Sequence, residues 1–319
     1  MQRKILVTGA MGQIGSELIP ALREKFGNEN VIAVGYDKEP NKDATMAPPF
    51  EAIDARDKEA LRGLIEKYQI NTIYHLVGVL SAVGEKNPNL AWDVNMNSLK
   101  NVLDLAVEYK IDRLFWPSSI AAFGPTTPLF ETPQQTILEP TTMYGVTKVS
   151  GELMCQYYNL KYGLDVRSLR YPGIISWKTP PGGGTTDYAV AIYYDAIEKG
   201  SYDCFVSEDT VLPMMYMDDA VNATIQLMDA EKEKIKVHTA YNLTAVSFSA
   251  KELAENVAKH IENFKCTFTP DSRQKIADSW PKTIDDSSAR NDWGWQHEFD
   301  LEKISVEMIK NLKEKLAKK

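Results

Sequence analysis

At 319 residues, 44% of them hydrophobic and 25% charged, the chain can bury a substantial core without disulfide staples, as one large domain or a large domain with a small companion. Its 44 acidic residues outnumber 36 basic ones, and no block of Lys and Arg interrupts the pattern. That balance argues against a nucleic-acid or anionic-membrane surface and favours a small-molecule partner. The cysteines Cys155, Cys204 and Cys266 lack CxxC spacing and read as free thiols of a reducing compartment. This is the cytoplasm, or the mitochondrial matrix if a transit segment has been removed. His75, His238, His260 and His297 show neither HxxxH nor HExxH spacing, so they read as surface or packing residues, and no metal is expected. No apolar run reaches about 18 residues, and the first residues pass straight into a strand without a signal segment.

In chain order, β-branched apolar runs alternate with helical patterns. KILVTG is followed by a helix over residues 13–26, then VIAVGYD, FEAID, a helix near 58–67 and TIYHLVG. A helix around 90–109, the strand RLFWPS, a helix around 143–162 and the strand DVRSLRY continue the series. The alternation predicts an α/β fold, a Rossmann-type doubly wound parallel sheet with helices on both faces. After Pro172 the rhythm breaks in a Pro- and Gly-rich stretch. Residues 1–172 are therefore expected to form the Rossmann-type domain, and 173–319 mainly a smaller α+β lobe, with some segments returning to the first domain. Ligands of such sheets bind outside the carboxyl ends of the strands, so the lobe is expected to close over that crevice.

The first strand runs into TGAMGQIG, which places Gly9, Gly12 and Gly15 at a strand-to-helix turn. Glycines permit the tight turn and bring backbone N–H groups at the helix N-terminus to a pyrophosphate. Three spaced glycines alone are a weak signal, but a strand precedes them, a helix follows, and the second strand ends at Asp37. A carboxylate there accepts from an adenosine ribose and repels a 2′-phosphate, which favours NAD over NADP. Asp54, ending the third strand, is placed either to meet the adenine amino group or merely to cap a helix.

A second motif, TMYGVTK, sets Tyr144 and Lys148 four apart on one helical face. An ammonium beside a phenol favours the phenolate, bringing a general base toward working pH, and the lysine can also hold a nicotinamide ribose. Upstream, the fifth strand ends in PSSI, so Ser118 or Ser119 emerges at the carboxyl edge. A Tyr and a Lys at that spacing are ordinarily packing or solvated residues, and their weight comes from the glycine turn and the strand-end serines together.

With these motifs the chain resembles the short-chain dehydrogenase/reductase superfamily, in the extended branch that includes nucleotide-sugar epimerases and dehydratases. The resemblance rests on GAMGQIG, the strand-end Asp37, HLVG at 75–78, Asn95, SSIAAFG, YGVTK and RYPG at 170–173. It implies NAD contacts from Gln13, Ile14, Leu76, Gly78, Asn95 and Tyr171 beside Gly9, Gly12, Gly15, Asp37, Asp54, Tyr144 and Lys148. In that branch the catalytic Ser or Thr lies four residues before the aromatic of an aromatic-Gly pair. Phe123-Gly124 thereby selects Ser119 over Ser118. The implied chemistry is proton removal from a substrate hydroxyl by Tyr144 as hydride passes to the nicotinamide.

A nucleotide sugar usually meets arginines of the C-terminal lobe, whose fork matches phosphate oxygens. This chain has no Arg between Arg170 and Arg273, reads LPMMYMDDA where a basic residue is common, and carries Gly173 where an Asn is usual. Arg273 and Lys178 keep that alternative open. The strings GVLSAVGEKNP, LDVRSLRYPGIISW, GGGTTDYAV, LPMMYMDDA, YNLTA and SWPKTIDDSSARNDWGW together look like the short-chain type of L-threonine 3-dehydrogenase. That family oxidises the 3-hydroxyl of L-threonine with NAD to 2-amino-3-oxobutanoate, which a coenzyme A-dependent partner enzyme can cleave. The resemblance implies substrate contacts from Ser81, Ser119, Tyr144, Gly184, Thr185, Thr186 and Trp280, and a homodimer pairing long helices that include the one bearing Tyr144.

The residues themselves leave other readings in view. Ser81 alone would be a loop serine, and Trp280 an anchor of the C-terminal lobe. The run PPGGGTTDYA at 180–189 lacks the Lys-Ser/Thr of a P-loop. Its backbone N–H groups at Gly183, Gly184 and a helix start near Thr186 could bind a carboxylate, and Thr185, Thr186 or Asp187 could simply cap that helix.

Overall fold

The structure, a computed structural model, describes residues 2–36 and 47–317. The chain divides into two compact units, each built from non-contiguous segments. The first takes the residues up to Ser119, then Thr142–Arg170 and Val221–Tyr241, and the second takes Ile120–Thr141, Tyr171–Ala220 and the chain from Asn242 onward.

The first half alternates as its hydrophobic periodicity demands: β1 (Ile5–Thr8), α1 (Gly15–Phe26), β2 (Val31–Gly35), β3 (Phe50–Ala52), α2 (Lys58–Tyr68) and β4 (Thr72–His75). Three short helices follow, α3 (Ser81–Lys86), α4 (Pro88–Trp92) and α5 (Ser98–Glu108), then β5 (Arg113–Ser119), α6 (Met143–Tyr162) and β6 (Val166–Tyr171). The seven-stranded sheet has the order β10-β6-β5-β4-β1-β2-β3, where β10 is the short strand Tyr241–Asn242. β1 pairs in parallel with both β2 and β4. The winding therefore reverses between β1 and β4, which makes the carboxyl ends of these two strands the topological switch point. The β1 and β2 residues are fully buried, as strands covered on both faces require.

The helix expected as one element around 90–109 is interrupted. Asn87 caps the next short helix by accepting from Leu90 N, Pro88 occupies its first turn, and Asp93–Asn97 form one wider π turn before α5. Such a turn inserts one extra residue and re-aims the side chains it carries. Here it carries Asn95.

In the second unit, β7 (Gly173–Ile175) pairs in parallel with β9 (Val211–Tyr216), which pairs antiparallel with β11 (Val246–Ser249). A second small sheet joins β8 (Ser201–Cys204) to β12 (Lys265–Phe268). Around them pack α7 (Tyr188–Lys199), α9 (Ala250–Ala258), α10 (Arg273–Asp278), α11 (Ser287–Trp293) and α12 (Leu301–Leu316), while α8 (Met217–Asp229) precedes β10 in the chain. The Tyr193 hydroxyl shares a hydrogen bond of 2.7 Å with Ser305 Oγ and pins α7 to α12. Fully buried Trp295 donates its indole N–H to Asp286 Oδ2 at 3.1 Å and to Thr244 O at 3.3 Å. No described helix is long and apolar enough to cross a membrane.

Candidate active site

The carboxyl ends of β1 to β4 enclose a cleft of about 580 Å³. Gly9, Gly12, Asp54, Leu76 and Gly78 all line it, so five of the residues singled out for the cofactor meet in one place. The glycine turn is a close backbone approach. Gly9 has φ +76°, and a Cβ there would stand 2.8 Å from the Leu76 carbonyl carbon. A Cβ on Gly15 would stand 2.4 Å from Gly9 O. These contacts leave room for hydrogen alone and start the twelve-residue α1 at the rim of the cleft. Gln13 and Ile14 precede that helix, with Ile14 O accepting from Leu18 N at 2.8 Å. Asp37 lies outside the described residues.

Asp54 does not stand alone, and Arg56 was not foreseen. The Arg56 guanidinium bridges Asp54 Oδ2 at 2.6 Å and Asp93 Oδ2 at 2.6 Å. Its hydrogen bonds hold the Asp54 carboxyl below its usual range, so the cleft wall carries an ionised carboxylate that is already bonded. Asn95 is buried and points inward from the π turn. Its Oδ1 accepts from Val79 N at 2.7 Å, and its Nδ2 donates to Val79 O at 3.2 Å and to Thr147 Oγ1 at 3.0 Å. Thr147 in turn donates to Tyr144 O at 2.8 Å, so Asn95 ties the loop after β4 to the first turns of α6. Tyr171 ends β6 and is buried.

α6 begins at a Thr142 cap, whose hydroxyl accepts from Gly145 N at 3.1 Å, and this fixes the helix just before Tyr144. The Tyr144 phenol is hydrogen-bonded to Ser119, and Lys148 Nζ lies 5.2 Å from the Tyr144 ring centre. Lys148 also donates to Pro117 O at 2.6 Å and rests 4.6 Å from the centre of the Trp116 ring. The two strand-end serines, equivalent in the sequence, are thereby separated: Ser119 takes Tyr144, while Ser118 Oγ donates to Glu152 Oε1 at 2.5 Å.

Burial dominates the electrostatics. It pushes Tyr144 up to about 12, against the opposing Ser119 hydrogen bond, although Tyr144 as a whole residue is only half-buried. It pushes Lys148 down to about 7, against the opposing charge of Glu152. His75, fully buried between Thr8 Oγ1 and Ser98 Oγ, is lowered to about 3 by burial first and by Lys148 second. It is a packing residue of the core.

Of the residues singled out for substrate, Ser81 opens α3 and is buried. In the second unit Thr185 is buried, Thr186 packs its Cβ and Cγ2 over Gly173, and Trp280 is buried just after α10. The helix expected near Thr186 starts at Tyr188. The amides of Gly183 and Gly184 both donate to Asp187 Oδ2, at 2.7 and 2.8 Å, so the carboxylate they bind is internal. Asp187 thus closes the glycine loop on itself, and its side chain caps no amide of α7. Arg273, the cation that kept a diphosphate in view, pairs with Asp271 at 2.6 Å and stacks on Phe205.

The family model for the NAD dependent epimerase/dehydratase family matches residues 5–244. A Staphylococcus haemolyticus protein described as an uncharacterized epimerase/dehydratase is 48% identical over 314 residues, 98% of each chain. The structure of an L-threonine dehydrogenase from Clostridium difficile is similar at TM-score 0.96 and 47% identity, covering 98% of both chains. The holo form of an L-threonine dehydrogenase from Cupriavidus necator matches at TM-score 0.94 and 48% identity over 97% of this chain and 99% of that one. With a glycine turn opening onto a sheet-end cleft and a Ser-Tyr-Lys group beside it in the same unit, this chain belongs to the NAD dependent epimerase/dehydratase family.

Proposed function

We propose that the protein oxidises the 3-hydroxyl of L-threonine to 2-amino-3-oxobutanoate with NAD. One observation carries this reading: solved L-threonine dehydrogenases match it along nearly its whole length at close to half identity. NAD fits the cleft, where Gly9, Gly12 and the start of α1 would take the pyrophosphate and Asp54 the adenine end. When bound, the nicotinamide supplies the hydride acceptor.

The chain's own part is proton transfer and positioning. Tyr144 as phenolate takes the threonine hydroxyl proton, Lys148 stabilises that phenolate and holds the ribose, and Ser119 donates to the oxygen as carbonyl character develops. The resemblance assigns recognition of the amino acid to Ser81, Gly184, Thr185, Thr186 and Trp280. The product is a β-keto acid that loses carbon dioxide readily, which suits hand-over to a coenzyme A-dependent enzyme. Buried thiols at Cys155 and Cys204 suit a reducing compartment, the cytoplasm.

A second copy of the chain is the proposed partner of α6. Val146, Leu153, Tyr157 and Leu160 recur along one face of that helix, and all four are exposed, Leu160 by 75%. Sedimentation of the wild type and of Leu160→Glu checks this, with a dimer expected only in the former.

The function is tested by following NADH with L-threonine, D-threonine, L-allo-threonine, L-serine and UDP-galactose side by side. Net NADH is expected with L-threonine. No NADH with L-threonine, together with epimerised UDP-galactose, would replace the reading with nucleotide-sugar epimerisation.

A further inference from the structure

We infer that Glu152, clamped by Arg170 and Ser118 beneath the reacting groups, is the positioning residue that favours the ammonium form of Lys148 and sets Ser119 against Tyr144. The inference rests on the reading of Tyr144 and Lys148 as the reacting pair and adds to it the groups that control their proton.

Glu152 is 1% exposed, and its carboxylate is fully engaged. Oε1 accepts from Ser118 Oγ at 2.5 Å and from Arg170 Nε at 2.9 Å, and Oε2 accepts from Arg170 Nη2 at 2.7 Å. Arg170 is 3% and Ser118 2% exposed, so the cluster is held away from water. Bidentate geometry of this kind fixes both direction and position, and a buried carboxylate deprived of it would be costly.

The cluster is tied to the reacting groups at two points. Glu152 lies one turn beyond Lys148 on α6, where residues four apart are neighbours. Consecutive residues at the end of β5 then each grip α6: Pro117 O takes Lys148, Ser118 takes Glu152, and Ser119 takes Tyr144. A shift of Ser118 must therefore displace Ser119 and Pro117 with it.

The charges around Lys148 leave Glu152 as the group that favours its ammonium form. On α6 it faces Tyr144, Glu152 and Cys155, and burial keeps that phenol and thiol protonated. From β4 it meets His75, which burial keeps neutral. From β5 it meets the Trp116 ring and Pro117 O, and the β6 guanidinium of Arg170 is taken up by Glu152. Burial disfavours the ammonium, and the Glu152 carboxylate is the full negative charge that opposes this.

The titration at the centre of the test needs neither cofactor nor substrate. Protein labelled with ¹³C at lysine Cε is titrated by NMR, and Lys148 is identified as the signal with a midpoint near 7 that is missing from Lys148→Met. Glu152→Gln is expected to move that midpoint down by about one pH unit or more, whereas Glu152→Asp, which keeps the charge, should stay close to wild type. Ser118→Ala should leave the midpoint in place and lower kcat for threonine more than it changes KM, because it disturbs Ser119 without removing the carboxylate. If Glu152→Gln fails to fold, Glu152→Gln combined with Arg170→Met is read instead, with a smaller downward shift expected because the guanidinium charge leaves with the carboxylate. A folded variant of either kind with the wild-type midpoint overturns the inference, as does an equal shift in Ser118→Ala. Failure of the threonine assay would leave this titration untouched, so the two ideas fail separately.

Discussion

Replacing Lys148 by Met tests the proton arrangement most directly, because its effect can be worked from the structure and depends on pH. Tyr144 sits at about 12 and Lys148 at about 7, so above pH 7 the pair holds one proton, mostly on the phenol. Moving that proton to the amine is disfavoured by ~5 pH units before attraction is counted. At the 5.2 Å between Nζ and the ring centre, a unit charge pair gains ~3 kcal/mol at an effective dielectric of about 20, or ~2 units. Roughly one pair in 10³ is then poised as phenolate and ammonium, at any pH above 7. Without Lys148 the phenolate must form near 12, and only ~10⁻⁴ of it exists at pH 8, falling tenfold with each pH unit below. The sign is set by a base that must shed its proton: acid suppresses both enzymes, but the wild type levels off between about 7 and about 9 while the variant keeps climbing. At saturating NAD and threonine, kcat of Lys148→Met should be ~10-fold below wild type at pH 8 and ~50-fold below at pH 7, and the two should converge near pH 9. NADH absorbance across pH 6 to 10 reads this. A constant ratio at every pH would refute the shared-proton account and reduce Lys148 to a ribose ligand.

Tyr144→Phe should lower kcat by at least about 10³ while NAD affinity stays within a few-fold, and near-normal turnover would remove Tyr144 as the base. Gly15→Ala places a Cβ 2.4 Å from Gly9 O, a backbone atom that cannot swing aside. It should weaken NAD at least about tenfold by calorimetry and cost about 1–3 kcal/mol of stability in denaturant melts; an unchanged NAD Kd would mean the turn does not hold the pyrophosphate. Thr186→Ala should raise KM for threonine well above any change in KM for NAD, and equal effects on both would leave Thr186 as packing over Gly173.

The alternation of apolar strands and amphipathic helices made most of the first-half architecture legible element by element, because a strand buried on both faces and a helix buried on one leave different periods in the chain. The helices expected near 58–67 and around 143–162, and the strands expected in KILVTG, VIAVGYD, TIYHLVG and RLFWPS, each have an observed counterpart at that place in the chain. The glycine turn and the Tyr-Lys pair were legible for the same reason: their geometry is local, set by a turn or by one helical face. Arg56, bridging Asp54 and Asp93, was missed because its partners lie on different elements. Glu152 was missed although the signal existed, an acidic residue four beyond Lys148 on the buried face of one helix.

By itself, then, the sequence determined most of the elements and the glycine turn, which are written in short-range spacing, while the chemistry followed from the family resemblance. The tertiary structure decided what depends on long-range partners. It put segment 120–141 in the second unit and 221–241 in the first, and sent the adjacent serines 118 and 119 to Glu152 and Tyr144. It also set the proton affinities of Tyr144 and Lys148, because desolvation is a property of the packed interior and of no local string of residues.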